Sequence, residues 1–233
     1  MDTLASQGSR FNVLCRYSQL RIQFGGFMLR FAFALLFAGL LSGCNTTLHV
    51  EKPDPTSGLY STHTVLKPAD VRVVEKFDPS YTQMVYLKIN AETPNPRFVD
   101  FFVAALSEMH TFKKVVTKDD LQAIVIERNL GAKVPSVSDL VGLNNLSKEI
   151  GPFLIVEPNA VFKGGYNFEG TLKAIDASTG KTVLLIDMTA FNMAGLDDPL
   201  FHPMLNGFIN WTRNQPVAPE MSTTAQQPTA AKL

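Results

Sequence analysis

The chain is poor in the residues that most often announce chemistry. Its 233 residues include two cysteines, one tryptophan and four histidines. Cys15 and Cys44 allow at most one bridge, which excludes a disulfide-framed scaffold and any four-cysteine metal ribbon. His49, His63, His110 and His202 never fall three or four residues apart, so the spacing of paired helical ligands is missing and no metal site is expected. The formal charge is +0, which leaves no electrostatic footprint for nucleic acid. No apolar run approaches the ~20 residues of a membrane-spanning helix. The dinucleotide fingerprint, the phosphate loop, HExxH, CxxC and G-x-S-x-G are all absent. No cofactor and no catalytic set is therefore expected, and a hydrolase with a dispersed site is the enzymatic alternative that survives. What the chain does have is 45% hydrophobic and 18% charged residues, enough to bury a core.

The most specific signal lies near the start. "MLR" at 28–30 gives a short positive head, "FAFALLFAGLL" an apolar run of about 11 residues, and "SGC" a small-residue cleavage context. Met28 is read as the true start, 1–27 as an upstream extension (a start-site error) and 28–43 as a signal peptide. Cys15 then precedes the protein, which leaves Cys44 without a bridge partner. Leu41-Ser42-Gly43-Cys44 resembles the bacterial lipobox. The resemblance implies diacylglycerol on the Cys44 sulfur, cleavage just before it, and acylation of the new amino terminus. Small Ser42 and Gly43 let a peptidase reach the backbone, and only a thiol forms the thioether. Asn45, not Asp, follows. By the enterobacterial sorting rule this implies an outer-membrane lipoprotein facing the periplasm. Three acyl chains hold far more firmly than the marginal grip of one. Residues 1–43 carry four basic side chains and one acidic. The remainder has 21 less four basic and 21 less one acidic, a net of −3.

After Cys44, residues 44–64 are polar and carry two prolines. They read as a flexible tether that reaches at most about 65–70 Å. Residues 214–233 lack the apolar surface to offset ordering entropy and read as a disordered tail. The folded unit is expected over 65–213. Within it, "MVYLKIN" (84–90) reads as a strand. Asn95 caps and Pro96 opens a helix with Phe98, Phe101, Phe102, Ala105, Leu106 and Met109 on one stripe. Thr117 and Asp120 form a capping box for a second helix bearing Leu121, Ile124 and Val125. A third begins near Ser138, carries Leu140, Leu143, Leu146 and Ile150, and stops at Gly151–Pro152. "PFLIVEPNAVF" is a strand expected to break or bulge at Pro158. "YNFEGTLKAID", "ASTG" and "KTVLLIDMTAF" form a hairpin. A last helix starts near His202–Pro203 with Met204, Leu205, Phe208 and Trp211.

Several groups merit weighing as chemistry. Gly164–Gly165 reads as a turn, and Asp197–Asp198 as caps for the last helix. Glu157 and Asp187 interrupt apolar strands; a buried, perturbed carboxylate is one reading of either, and an edge or loop-adjacent position is the expected one. Tyr166, Phe168, Phe191 and Trp211 supply aromatic faces, which keeps open a carrier or sensor of a small apolar or glycan ligand.

The order of elements, the junction "LSKEIGPFLIVEPNAVF" and the hairpin "TLKAIDASTGKTVLLIDMTAF", with its Asp176-Ala177-Ser178-Thr179-Gly180-Lys181 turn, resemble the periplasmic lipoprotein domains of the TolB amino-terminal-domain, LpoB and CsgG-like family. Over 66–213 that resemblance implies an α/β sandwich: a mixed β-sheet packed with helices. It also implies a non-enzymatic role in binding an envelope protein, in cell-wall synthesis, secretion or appendage assembly. Pro158 departs from the pattern. No spare pair of alternating segments of about 9–11 residues remains to build a pore.

Overall fold

The computed structural model describes residues 48–49, 51–90, 95–191 and 195–218. Cys44, the signal segment 28–43, the extension 1–27 and the tail beyond 218 lie outside them.

Six strands form one mixed sheet in the order β1-β6-β5-β4-β2-β3. They are β1 (Val71–Val74), β2 (Val85–Leu87), β3 (Val115–Val116), β4 (Leu154–Gly164), β5 (Asn167–Asp176) and β6 (Thr182–Phe191). β4, β5, β6 and β1 run as an antiparallel meander, while β2 joins β4 and β3 in parallel. Among the described residues four α-helices complete it: α1 (Pro96–Glu108), α2 (Lys118–Glu127), α3 (Leu140–Ile150) and α4 (His202–Thr212). The α/β class with a mixed sheet packed by helices is what the sequence predicts.

Local chemistry sets the helix ends. Asn95 Oδ1 accepts the Arg97 N–H with Pro96 in the first turn of α1, and Thr117 donates its N–H to Asp120 at 2.7 Å to start α2. Asp139, one residue beyond the expected Ser138, caps α3 through the Gly142 N–H. That helix has no room for a larger residue at Gly142, where a Cβ would sit 1.8 Å from the Ser136 carbonyl oxygen.

Strand alternation splits the core in two. Val85, Leu87, Leu154, Val156, Leu172, Ala174, Leu184 and Ile186 face α1 and α4, where Phe101, Phe102, Phe201 and Phe208 are fully buried. Tyr86, Ile155 and Ile175 face α2 and α3, against Leu121, Leu143 and Leu146.

Two expectations change here. β4 is not broken at Pro158, which pairs with Leu172 in an unbroken ladder, and the irregularity falls between Phe162 and Gly164. The Leu154 N–H bonds Met84 O and the Lys88 N–H bonds Val156 O. Period two therefore turns the Pro158 backbone toward β2 as well, just past the end of that strand. The missing N–H ends the parallel pairing without harming the antiparallel one.

The folded unit also extends past 65–213 at both ends. Tyr60 and Val217 are buried in the aromatic core, with Leu48 half-buried against it. Tyr60 exchanges two hydrogen bonds with the Asn206 side chain, at 2.7 and 2.9 Å, and its hydroxyl donates to Ala105 O at 3.1 Å. Its ring stacks on His202, 5.0 Å between centroids. Arg213 donates to Ser57 O at 2.7 Å. Residues 51–64 thus lie along α4 as a strap.

Candidate interaction surface

The two sheet faces are covered unequally. α1, α4 and the strap cover one face along its length. On the other, α2 and α3 sit over β2, β3 and the adjoining ends of β4 and β5, and leave the rest of the β4–β6 meander open. Cross-strand rows on the open part are set by register: Glu157, Lys173 and Leu185; Asn159, Thr171 and Asp187; Val161, Glu169 and Thr189.

Glu157 sits where the cover stops. It is buried, at 6% exposure, in a central strand, which corrects the expected edge position. Two residues earlier, Ile155 packs under α3 on the same face. Lys88 and Lys173 each reach a Glu157 carboxylate oxygen at 2.7 Å. Burial pushes the carboxyl up, but the two ammonium groups outweigh it and hold Glu157 below the ordinary carboxylate range. A carboxylate clamped in its charged form is a poor proton donor near neutrality. Asp187 lies farther out, half-buried, with Arg72 of the edge strand at 3.7 Å. Among the described residues no cluster of three histidine, cysteine or acidic side chains could hold a metal.

At one end of the meander lies an apolar tip. Val161, Phe162, Tyr166 and Phe191 are exposed, three of them at 55% or more. Phe162 leans on half-buried Phe168, 5.2 Å between centroids, and Tyr166 meets Phe191 edge-on at 6.2 Å. The expected turn forms here: Gly164 closes β4 opposite Asn167, and Gly165 with Tyr166 makes the two-residue bend, the φ of both glycines being positive. Tyr166 also adopts φ +63, a left-handed conformation that costs a side-chain-bearing residue about 1–2 kcal/mol. Lys163 pairs with Glu169 beside the tip.

The four aromatics predicted as one ligand face do not converge. Trp211 is buried on the inner side of α4, its Nε1–H donating to Glu75 O at 2.6 Å, and Phe168 belongs to the core margin. Nor do Asp197 and Asp198 cap α4. They open the π-helical turn Asp197–Phe201 that precedes it and receive the strap: Asp197 Oδ2 accepts the His49 N–H at 3.2 Å, Asp198 Oδ1 the His63 N–H at 3.1 Å. Burial raises the Asp198 carboxyl, and the His63 hydrogen bonds outweigh that to lower it. His202 is buried, with Nδ1–H donating to Ser61 O at 3.0 Å.

Two features escaped the sequence reading. One is the Lys88–Glu157–Lys173 clamp, whose only sequence signal is a glutamate directly after the apolar run 153–156. The other is an apolar cavity of about 570 Å³ between strap and α4, lined by Leu59, Val65, Leu66, Pro203, Gly207 and Val217 among others.

No protein family matches the chain, and no curated protein matches it in sequence. Among solved structures it is similar to the LpoB C-terminal domain from Salmonella enterica, at 11% identity and a TM-score of 0.32, over 48% of this chain and 85% of that one. It is also similar to the PelC dodecamer from Paraburkholderia phytofirmans, at 13% identity and a TM-score of 0.28, over 53% and 80%. A lipoprotein from Neisseria meningitidis aligns at 12% identity and a TM-score of 0.28, over 46% and 81%. At these values no family is assigned.

Proposed function

We propose that this chain is a lipoprotein, anchored through acylated Cys44 to the outer membrane and facing the periplasm, whose domain works without catalysis by binding a protein of envelope assembly. Cell-wall synthesis, secretion and appendage assembly are the candidate settings. The observation that carries the reading is the open face of β4–β6. Its ion pairs, Lys88–Glu157–Lys173 and Arg72–Asp187, support a recognition role, and the clamp on Glu157 makes that carboxylate a poor proton donor near neutrality. Photocrosslinking residues placed at Thr171, Asp187 and Thr189 should capture one envelope protein, identified by mass, while Ser107 on α1 should not. Failure of the open-face positions to yield any protein adduct would remove the support. Cys44→Ala should abolish both precursor processing and membrane fractionation; unchanged behaviour of both sinks the anchor.

The strap–α4 cavity favours a second reading, carriage or sensing of a small apolar ligand, since 570 Å³ falls within the usual range for ligand pockets. Native mass spectrometry of protein from its own host should then show a retained mass.

A further inference from the structure

We infer that the aromatic hairpin tip is a membrane-contact site, a second attachment to the bilayer that carries the anchor. This rests on the proposed acylation of Cys44.

The argument starts with how little chain separates Cys44 from the fold. Leu48 packs against the core, and the His49 N–H is held by Asp197. Four residue steps therefore span Cys44 to Leu48, about 14 Å at most. The 65–70 Å tether expected from the sequence shrinks to a fifth of that, and the end of the domain nearest residue 48 is kept beside the lipid.

That end also bears the tip. Asp197 opens the turn whose Leu200 lies directly on Gly170: a Cβ there would meet three Leu200 side-chain carbons at 2.8–2.9 Å. Gly170 stands three residues from the hairpin turn at Asn167, roughly 10 Å along the strand. β6 arrives at the same place, with Phe191 opposite Asn167. The Asp176–Lys181 turn lies at the far end of β5 and β6, roughly 30 Å away.

The chemistry of the tip suits a headgroup boundary better than bulk water. Phe162, Phe191 and Val161 are apolar and exposed, and Tyr166 is an apolar ring with a polar hydroxyl. Lys163, about half exposed beside the tip, has its charge matched by Glu169, so no uncompensated charge opposes shallow insertion. Shallow insertion of side chains needs no spanning segment, and among the described residues no helix is long and apolar enough to cross a membrane.

The test uses the full chain, acylated in its host and reconstituted into vesicles of phosphatidylethanolamine and phosphatidylglycerol. Phe162→Cys, Tyr166→Cys and, at the far turn, Ser178→Cys are each labelled with an environment-sensitive fluorophore. A blue shift and quenching by nitroxide-bearing lipid are expected at 162 and 166 and absent at 178. Mass analysis of the Cys44 peptide from the same sample separates the two ideas. A lipid-bearing Cys44 with no difference between 166 and 178 overturns the tip proposal alone. A blue shift without nitroxide quenching, the mark of burial against protein, overturns it too. An unmodified Cys44 overturns the anchor and the tip proposal together.

Discussion

The two faces of the sheet solve the same burial problem differently. Under α1, α4 and the strap the solution is aromatic and dry: Phe101, Phe102 and Phe201 meet one another with centroids 5.1–5.6 Å apart. On the other face the core beneath α2 and α3 is mainly aliphatic, with Tyr86 and Phe153 its buried aromatics, then gives way within one strand period to a carboxylate held by two lysines. The helices end before the strands do, and the sequence changes from Ile155 to Glu157 at that border. Hydrophobic cover confers stability wherever it can be had. Beyond it, charge pairs keep the face wettable and give it a pattern.

The largest effect should come from the aromatic face. Phe102→Ala, at a fully buried position, should cost about 4 kcal/mol in chemical denaturation, the range for deleting a buried aromatic ring. A loss as small as that of a surface substitution would show the two faces to be energetically alike.

Breaking the clamp ranks next. Glu157→Gln leaves two lysines without their counterion and should cost about 3 kcal/mol, the low end for orphaned buried charges because Lys173 can turn to water. The pH dependence has a defined sign. The folded carboxyl titrates below its ordinary 4.5, so its contribution is fully present above that value and is lost as pH falls through the lower one. In acid titrations followed by circular dichroism, Glu157→Gln should lose that part of the slope. An unchanged acid limb would mean the clamp is electrostatically idle.

Gly170→Ala tests how firmly the π-helical turn sits on the sheet. The added methyl collides with Leu200 and should cost about 1–2 kcal/mol by overpacking. It should also make residues 51–64 more susceptible to protease, because that turn presents Asp197 and Asp198 to the strap. The smallest effect belongs to the exposed tip: Phe162→Ser should change stability by less than about 0.5 kcal/mol. A larger loss would place the tip among the core elements.

Elements whose cause is local were legible in the sequence. Asn95–Pro96, the Thr117–Asp120 box and the Asp176–Lys181 turn each carry their hydrogen-bonding partners within a few residues, and each forms as expected. The strap was illegible because its causes are remote. Tyr60 is a single aromatic in a run of Ser, Thr and His, and what orders it is Asn206, 146 residues away. Glu157 was misplaced for a related reason. An apolar run ending in Glu-Pro looks like a strand leaving the sheet, and only the register that sets Lys173 opposite, with Lys88 beside it, shows the carboxylate to be enclosed. Pro158 looked disruptive because the sequence alone does not show where its neighbour β2 stops.

The pairing of Tyr60 with Asn206 makes leash length a property of the folded state. If the chain is exported as proposed, its amino terminus goes first, and residues 51–64 emerge long before the helix that will hold them. If Cys44 carries its lipid by then, the nascent domain folds at the end of a long, slack line. Only when α4 packs, the last element among the described residues, is the line drawn in to a few residues. The height of the domain above the bilayer then reports that folding is complete, and a partner confined near the membrane surface would meet finished copies and miss unfinished ones.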